Sequence, residues 1–117
     1  MVTVSEMISY SNKINPYHWE IKYRGARCAF ESPDENTAII SHLEVPKELR
    51  NKNIGTLMIQ SAEKIIKQET NCTMLYATIG ASNGATKHVL ENKCGFEVTD
   101  KQKRDMVGNF LKAEKNI

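Results

Sequence analysis

The chain has 117 residues, 40% hydrophobic and 26% charged, with 16 basic against 14 acidic side chains and a net charge of +2. That length supports one hydrophobic core, so residues 1–117 read as a single domain, and the composition excludes a disordered chain. The net charge decides little about partners and leaves a nucleic-acid role unsupported, and no apolar run reaches the roughly 20 residues of a membrane span.

Residues 4–14 place Val4, Met7, Ile8 and Ile14 mainly at three- and four-residue spacing, with Thr3 or Ser5 available to cap. They predict a short amphipathic helix that Asn15-Pro16 stops. Residues 18–23 alternate and predict a strand with Trp19, Ile21 and Tyr23 facing inward; Arg24-Gly25 is its turn. Residues 26–30 are a second strand, Ser32-Pro33-Asp34-Glu35-Asn36 a turn, and residues 37–45 a third strand, giving an antiparallel meander. Strict alternation puts Ile39, Ser41, Leu43 and Val45 on one face of the third strand and Ile40, His42 and Glu44 on the other. Polar groups on both faces suggest that one end lies at a site.

From Ile54 the apolar residues Leu57, Met58, Ala62, Ile65 and Ile66 recur at helical spacing, with Gln60, Glu63, Lys64 and Lys67 opposite, until Thr70-Asn71. Residues 74–79 are short and nearly all apolar, as in a central strand covered on both faces. A strand, helix, strand unit of this length implies a parallel pair. A polar loop at residues 80–83 leads to a helix over residues 84–93 that buries Val89, Leu90 and Ala85, and Gly95 suits a left-handed cap. Residues 96–98 and 105–113 are the last strands, an antiparallel pair at one end of the sheet, joined by a charged loop at 99–104.

Cys28, Cys72 and Cys94 are odd in number and lack metal-ligand spacing, so they read as small core residues in a reducing, cytoplasmic setting, with no metal site. Lys101, Lys103, Arg104, Lys112 and Lys115 come without aromatic interleaving and read as solvated surface.

The chemistry concentrates where the third strand passes through Pro46 and a basic turn into the long helix. The first turn of that helix offers unpaired backbone N–H groups and the positive end of its dipole beside Arg50 and Lys52, an arrangement suited to a phosphate at residues 50–56. The segment holds one glycine, Gly55, so it is neither a nucleotide-hydrolysing phosphate loop nor a dinucleotide-binding turn.

Arg50-Asn51-Lys52-Asn53-Ile54-Gly55 resembles the Arg/Gln-x-x-Gly-x-Gly/Ala segment of the GNAT N-acetyltransferase superfamily. Asn53 stands at the middle glycine, and asparagine is among the few residues that tolerate a positive φ at low cost. The run from His42 to Arg50 resembles the His-x-Glu-Val-Pro-x-Glu-Leu-Arg run of a small single-domain GNAT branch. Asn83, Thr86, Val89-Leu90-Glu91 and Lys93-Cys94-Gly95-Phe96 resemble the superfamily's next helix and strand, with Asn92 as one extra residue. The resemblance spans about residues 19–96.

It implies an α/β (α+β) fold with a GNAT-like mixed sheet of about six strands, an antiparallel N-terminal meander, a central parallel pair and flanking helices. It also implies acetyl-CoA as co-substrate, held by Arg50, Asn51, Lys52, Asn53, Ile54, Gly55 and Thr56, by backbone groups of Leu43 and Val45, and by Asn83. The reaction implied is direct transfer of acetyl to an amine, with a protein or peptide lysine or N-terminus favoured as acceptor. No nucleic acid or membrane partner is indicated, and the oligomeric state is open. The superfamily's usual base and acid positions match Ile39, Ser41, Thr78 and Glu91, none suited to the usual role, which leaves Glu44 and His42 as the nearest ionisable candidates. By parity they face away from Leu43 and Val45 unless a bulge turns them. The alternative is a catalytically inactive CoA-binding or interaction module of the same fold.

Overall fold

The structure is a computed structural model that describes residues 2–117, excepting 51, 81–83 and 106–107; for residues 78–80, 84–85, 99–105 and 108–111 it describes the backbone alone. Seven strands form one mixed sheet in the order β1-β2-β3-β4-β5-β7-β6. They are β1 (Ser11–Asn15), β2 (His18–Tyr23), β3 (Ala26–Glu31), β4 (Thr37–Glu44), β5 (Met74–Gly80), β6 (Glu97–Asp105) and β7 (Gly108–Asn116). Helices α1 (Val4–Ser9), α2 (Ile54–Glu69) and α3 (Gly84–His88) complete the fold. The expected meander and central parallel pair are present: β2–β3 and β3–β4 are antiparallel, and β4–β5 is parallel.

The core lies between one face of the sheet and α2. Trp19, Ile21, Cys28, Phe30, Ala38 and Ile40 from the meander meet Ile54, Met58, Ala62 and Ile66 of α2, all of them buried. Trp19 and Phe30 stack with centroids 5.8 Å apart, a cross-strand pair that fixes the β2–β3 register. The turn between β2 and β3 has positive φ at Arg24 (48°) and Gly25 (87°), which matches the right-handed twist of a two-residue hairpin. All three cysteines are free and buried. Among the described residues no helix is long and apolar enough to cross a membrane.

Four expectations are corrected. The N-terminal helix ends at Ser9 instead of Ile14, and residues 11–15 form β1 on the edge of the sheet. Thr3 caps α1 by accepting from the Glu6 N–H at 3.1 Å, but Ser9 and Ser11 donate their hydroxyls to the carbonyls of Glu6 and Ile8, and such local bonds compete with helix continuation. Ile14 is 59% exposed and so is no part of a helical core face.

In β4 the assignment of faces changes at a bulge. Phe30 pairs with Ile40 and Ala29 with His42, so Ser41 is the extra residue. Cys28, which shares a face with Phe30, pairs with Leu43. Ala38, Ile40 and Leu43 therefore share the core face, and Ile39, His42 and Glu44 point to the other. Near the C-terminus, β6 runs through residues 99–105 with an irregularity between Thr99 and Lys103, where a charged loop was expected, and β7 extends to Asn116. Thr99 and residues 103–105 find backbone partners on β7, on either side of that irregularity. The helix expected over residues 84–93 is α-helical only to His88 and continues as a π turn over Val89–Lys93, closed by the Cys94 N–H on the Val89 carbonyl at 3.0 Å. A π turn accommodates one additional residue in a helix, here the extra Asn92. Gly95 follows with φ of 77°.

Candidate active site

The site forms where β4 and β5 part. Among the described residues their parallel pairing runs from Thr37↔Met74 to Ile40↔Ala77, yet β4 continues to Glu44 and β5 to Gly80. The Ser41 bulge sits at the point where pairing stops and keeps Leu43 directed toward α2. After β4 the chain makes a 3-10 turn at Lys47–Leu49, with Leu49 N–H on the Pro46 carbonyl at 2.9 Å, and turns into α2. Arg50 is tied to the strand end by its Nε, 3.4 Å from the Val45 carbonyl.

Asn53 occupies the left-handed region, φ 60° and ψ 19°, and makes no side-chain cap on α2. It adopts the conformation for which a glycine would otherwise be needed. Its carbonyl accepts from the Leu57 N–H at 3.0 Å, the first intrahelical bond. The amides of Ile54, Gly55 and Thr56 precede that bond and, by helix geometry, point out of the amino end of α2. The dipole of a 16-residue helix adds partial positive charge there.

These elements enclose a cleft of about 630 Å³. Its first wall is Leu43, Val45, Leu49, Arg50 and Asn53 through Thr56, and its second is Thr86, His88, Val89 and Lys93, with Glu44 at the rim. A β-carbon placed on Gly55 would stand 3.6 Å from Val45 Cγ2 and 4.0 Å from Leu43 Cδ2, ordinary contact distances that place α2 against the end of β4. Of the residues expected to hold a cofactor, Leu43, Val45, Arg50, Asn53, Ile54, Gly55 and Thr56 converge on this cleft. Lys52 is exposed on the turn and does not line it, and Asn51 and Asn83 lie outside the described residues. The second wall was not read as a site from the sequence, although Thr86, Val89 and Lys93 recur at three- and four-residue spacing and so share one stripe of a helix.

His42 and Glu44 stand together on the opposite face of β4, with His42 Nε2 3.3 Å from Glu44 Oε2. The carboxylate can accept only from a protonated Nε2, so Nδ1 carries the lone pair in the neutral ring. On the same face Glu20, only 9% exposed, accepts from Arg27 at 3.1 Å and pairs with Lys22 at 3.2 Å. The Arg27 hydrogen bond is the main reason its carboxyl is held below the ordinary range. On the second wall His88 Nδ1 lies 3.0 Å from Asn92 Nδ2, across the π turn. Glu91 is exposed on that turn, and Thr78 is described by its backbone alone. Among the described residues no cluster of metal-ligating side chains occurs.

A strand splayed from its parallel neighbour, a left-handed residue opening the next helix, and a cleft at that helix's amino end form one connected arrangement. The sequence matches the acetyltransferase (GNAT) family over residues 13–96. The chain belongs to the GNAT family. Solved GNAT structures share the fold at low identity. A family member from Elizabethkingia anophelis with acetyl-CoA bound is 14% identical, with 97% of this chain and 81% of that chain covered and a TM-score of 0.68. The NatC complex bound to Gag peptide and CoA is 16% identical, with 86% and 70% covered and a TM-score of 0.70. The PaiA N-acetyltransferase from Thermoplasma acidophilum in complex with coenzyme A is 20% identical, with 86% and 60% covered and a TM-score of 0.65. No protein of curated function matches the sequence.

Proposed function

We propose that this GNAT domain, residues 1–117 acting as one unit, transfers acetyl from acetyl-CoA directly to the amine of a protein or peptide, a lysine side chain or an N-terminus. Acetyl-CoA as co-substrate rests on family membership. The observation that carries the reading is the uncapped amino end of α2, opened by left-handed Asn53 and lining one cleft with the end of β4, beyond the point where β4–β5 pairing stops. In this reading the amides of Ile54, Gly55 and Thr56, with Arg50, hold the pyrophosphate. Lys52 adds charge outside the cleft, and Asn51 and Asn83, both outside the described residues, are assigned to cofactor binding by the family resemblance. The pantetheine arm lies along Leu43 and Val45 in the gap, and positioning of the thioester supplies most of the rate.

The acceptor amine attacks the thioester carbon from the open face of β4. His42, oriented by Glu44, takes the proton lost by the amine, a backbone N–H of β4 stabilises the oxyanion, and collapse of the tetrahedral species expels the thiolate of CoA. A peptide acceptor is supported by the fold shared with the NatC complex, and a cytoplasmic setting by three free cysteines.

Calorimetric titration with acetyl-CoA tests binding, and thiol release on adding lysine-containing or free-N-terminus peptides tests turnover. His42→Ala and Glu44→Gln should each lower kcat while leaving acetyl-CoA affinity within about twofold. No measurable affinity for acetyl-CoA at millimolar concentration rejects the proposed activity outright.

A further inference from the structure

Coenzyme A carries two separate anionic groups, the pyrophosphate and the 3′-phosphate of its adenosine, on either side of one ribose. The cleft has cationic character on both walls. On the first wall are the amino end of α2 and Arg50, whose one side-chain hydrogen bond to a described residue uses Nε and leaves the rest of the guanidinium fork open. The second wall carries Lys93, exposed and without an ion pair to any described residue. Its neighbour His88 has Nδ1 engaged by Asn92 and offers a neutral Nε2–H donor. Lys93 is thus the permanent charge of that wall.

The placement of Lys93 follows from the π turn. Val89 and Lys93 bound the turn and both line the cleft, while Leu90 between them is 1% exposed and anchors the turn in the core. A flexible ammonium held at its root by a buried anchor suits a point-charge contact with a phosphate that stands clear of the helix-end site.

We propose that Lys93 recognises the 3′-phosphate and makes this protein selective for coenzyme A over 3′-dephospho-coenzyme A. The inference rests on the proposed acetyl-CoA site and assigns its second anionic subsite to a residue of the π turn. A single charge-assisted contact of this kind corresponds to about tenfold in affinity.

The test is titration of wild type, Lys93→Ala and Lys93→Arg with acetyl-CoA and with acetyl-3′-dephospho-CoA at two salt concentrations. Wild type should prefer acetyl-CoA by about tenfold. Lys93→Ala should lose that preference by weakening acetyl-CoA alone, and Lys93→Arg should restore most of it. Equal binding of both ligands by wild type overturns the subsite and leaves the acetyl-CoA reading standing, as does an equal loss for both ligands in Lys93→Ala. Failure of wild type to bind either ligand overturns both.

Discussion

Gly55 lies beside Val45 on the first wall of the cleft, and a β-carbon on it would sit 3.6 Å from Val45 Cγ2, an ordinary contact distance. Gly55→Ala should therefore fold normally and gain up to about 1 kcal/mol from helix propensity. A longer side chain in the same direction would occupy the gap assigned to the cofactor. Gly55→Leu should retain its far-ultraviolet circular dichroism and melt cooperatively, while acetyl-CoA affinity falls by at least about tenfold. Paired thermal melts and titrations check this, and undiminished affinity in Gly55→Leu would place the ligand elsewhere.

Asn53 tests the backbone requirement separately from the space. Its φ of 60° is natural to glycine and costs an alanine about 1 kcal/mol. Asn53→Gly should bind acetyl-CoA at least as well as wild type, whereas Asn53→Ala should lower stability by about 1 kcal/mol and weaken binding. Denaturant midpoints and affinities measured on both variants decide the point.

Asp34 holds the turn between β3 and β4. Its carboxylate accepts from the backbone N–H groups of Asn36 and Thr37 and from the Thr37 hydroxyl, each at 2.8 Å. The Asn36 N–H leads in holding its pKa below the ordinary value. The folded pKa lies below the unfolded one, so the contribution to stability is present above the usual carboxylate range and is lost as pH falls through the depressed value. Thermal melts from pH 7 down to pH 2 should show a weaker acid loss in Asp34→Ala than in wild type, starting from lower stability at pH 7.

Burial pushes the Cys28 thiol up to about 12 and the Cys94 thiol up to about 11, although Lys115 opposes the shift at Cys94. Both stay protonated and shielded in the folded protein. Their contribution is complete below the unfolded thiol pKa of about 8.5 and is lost as pH rises toward those raised values. At pH 8 neither should react with a thiol-specific chromogen until denaturant is added, and Cys28→Ser or Cys94→Ser should leave the native-state labelling trace unchanged. Rapid native labelling that disappears in either variant would contradict this burial.

Much of the fold was legible in the chain. Strand β2 fell on residues 18–23 and α2 followed its periodicity, because each presents a continuous buried side to the core, and the short apolar run at residues 74–79 lies within β5. Local chemistry also set the αL residue at Asn53 and the left-handed Gly95, since few side chains tolerate positive φ. What tertiary structure alone decided was everything that depends on a partner segment. Strand β1 has no inward face and so no alternation; only the exposed edge of β2 makes it a strand. The Ser41 bulge exists in the register against β3, and it reverses which side chains of β4 look toward the cleft. The π turn absorbs Asn92 because Leu90 and Phe96 are both buried in the core. By bringing residues 86–93 opposite residues 43–56, packing turned an anion-binding helix end into a two-walled cleft, a convergence that no local pattern encodes.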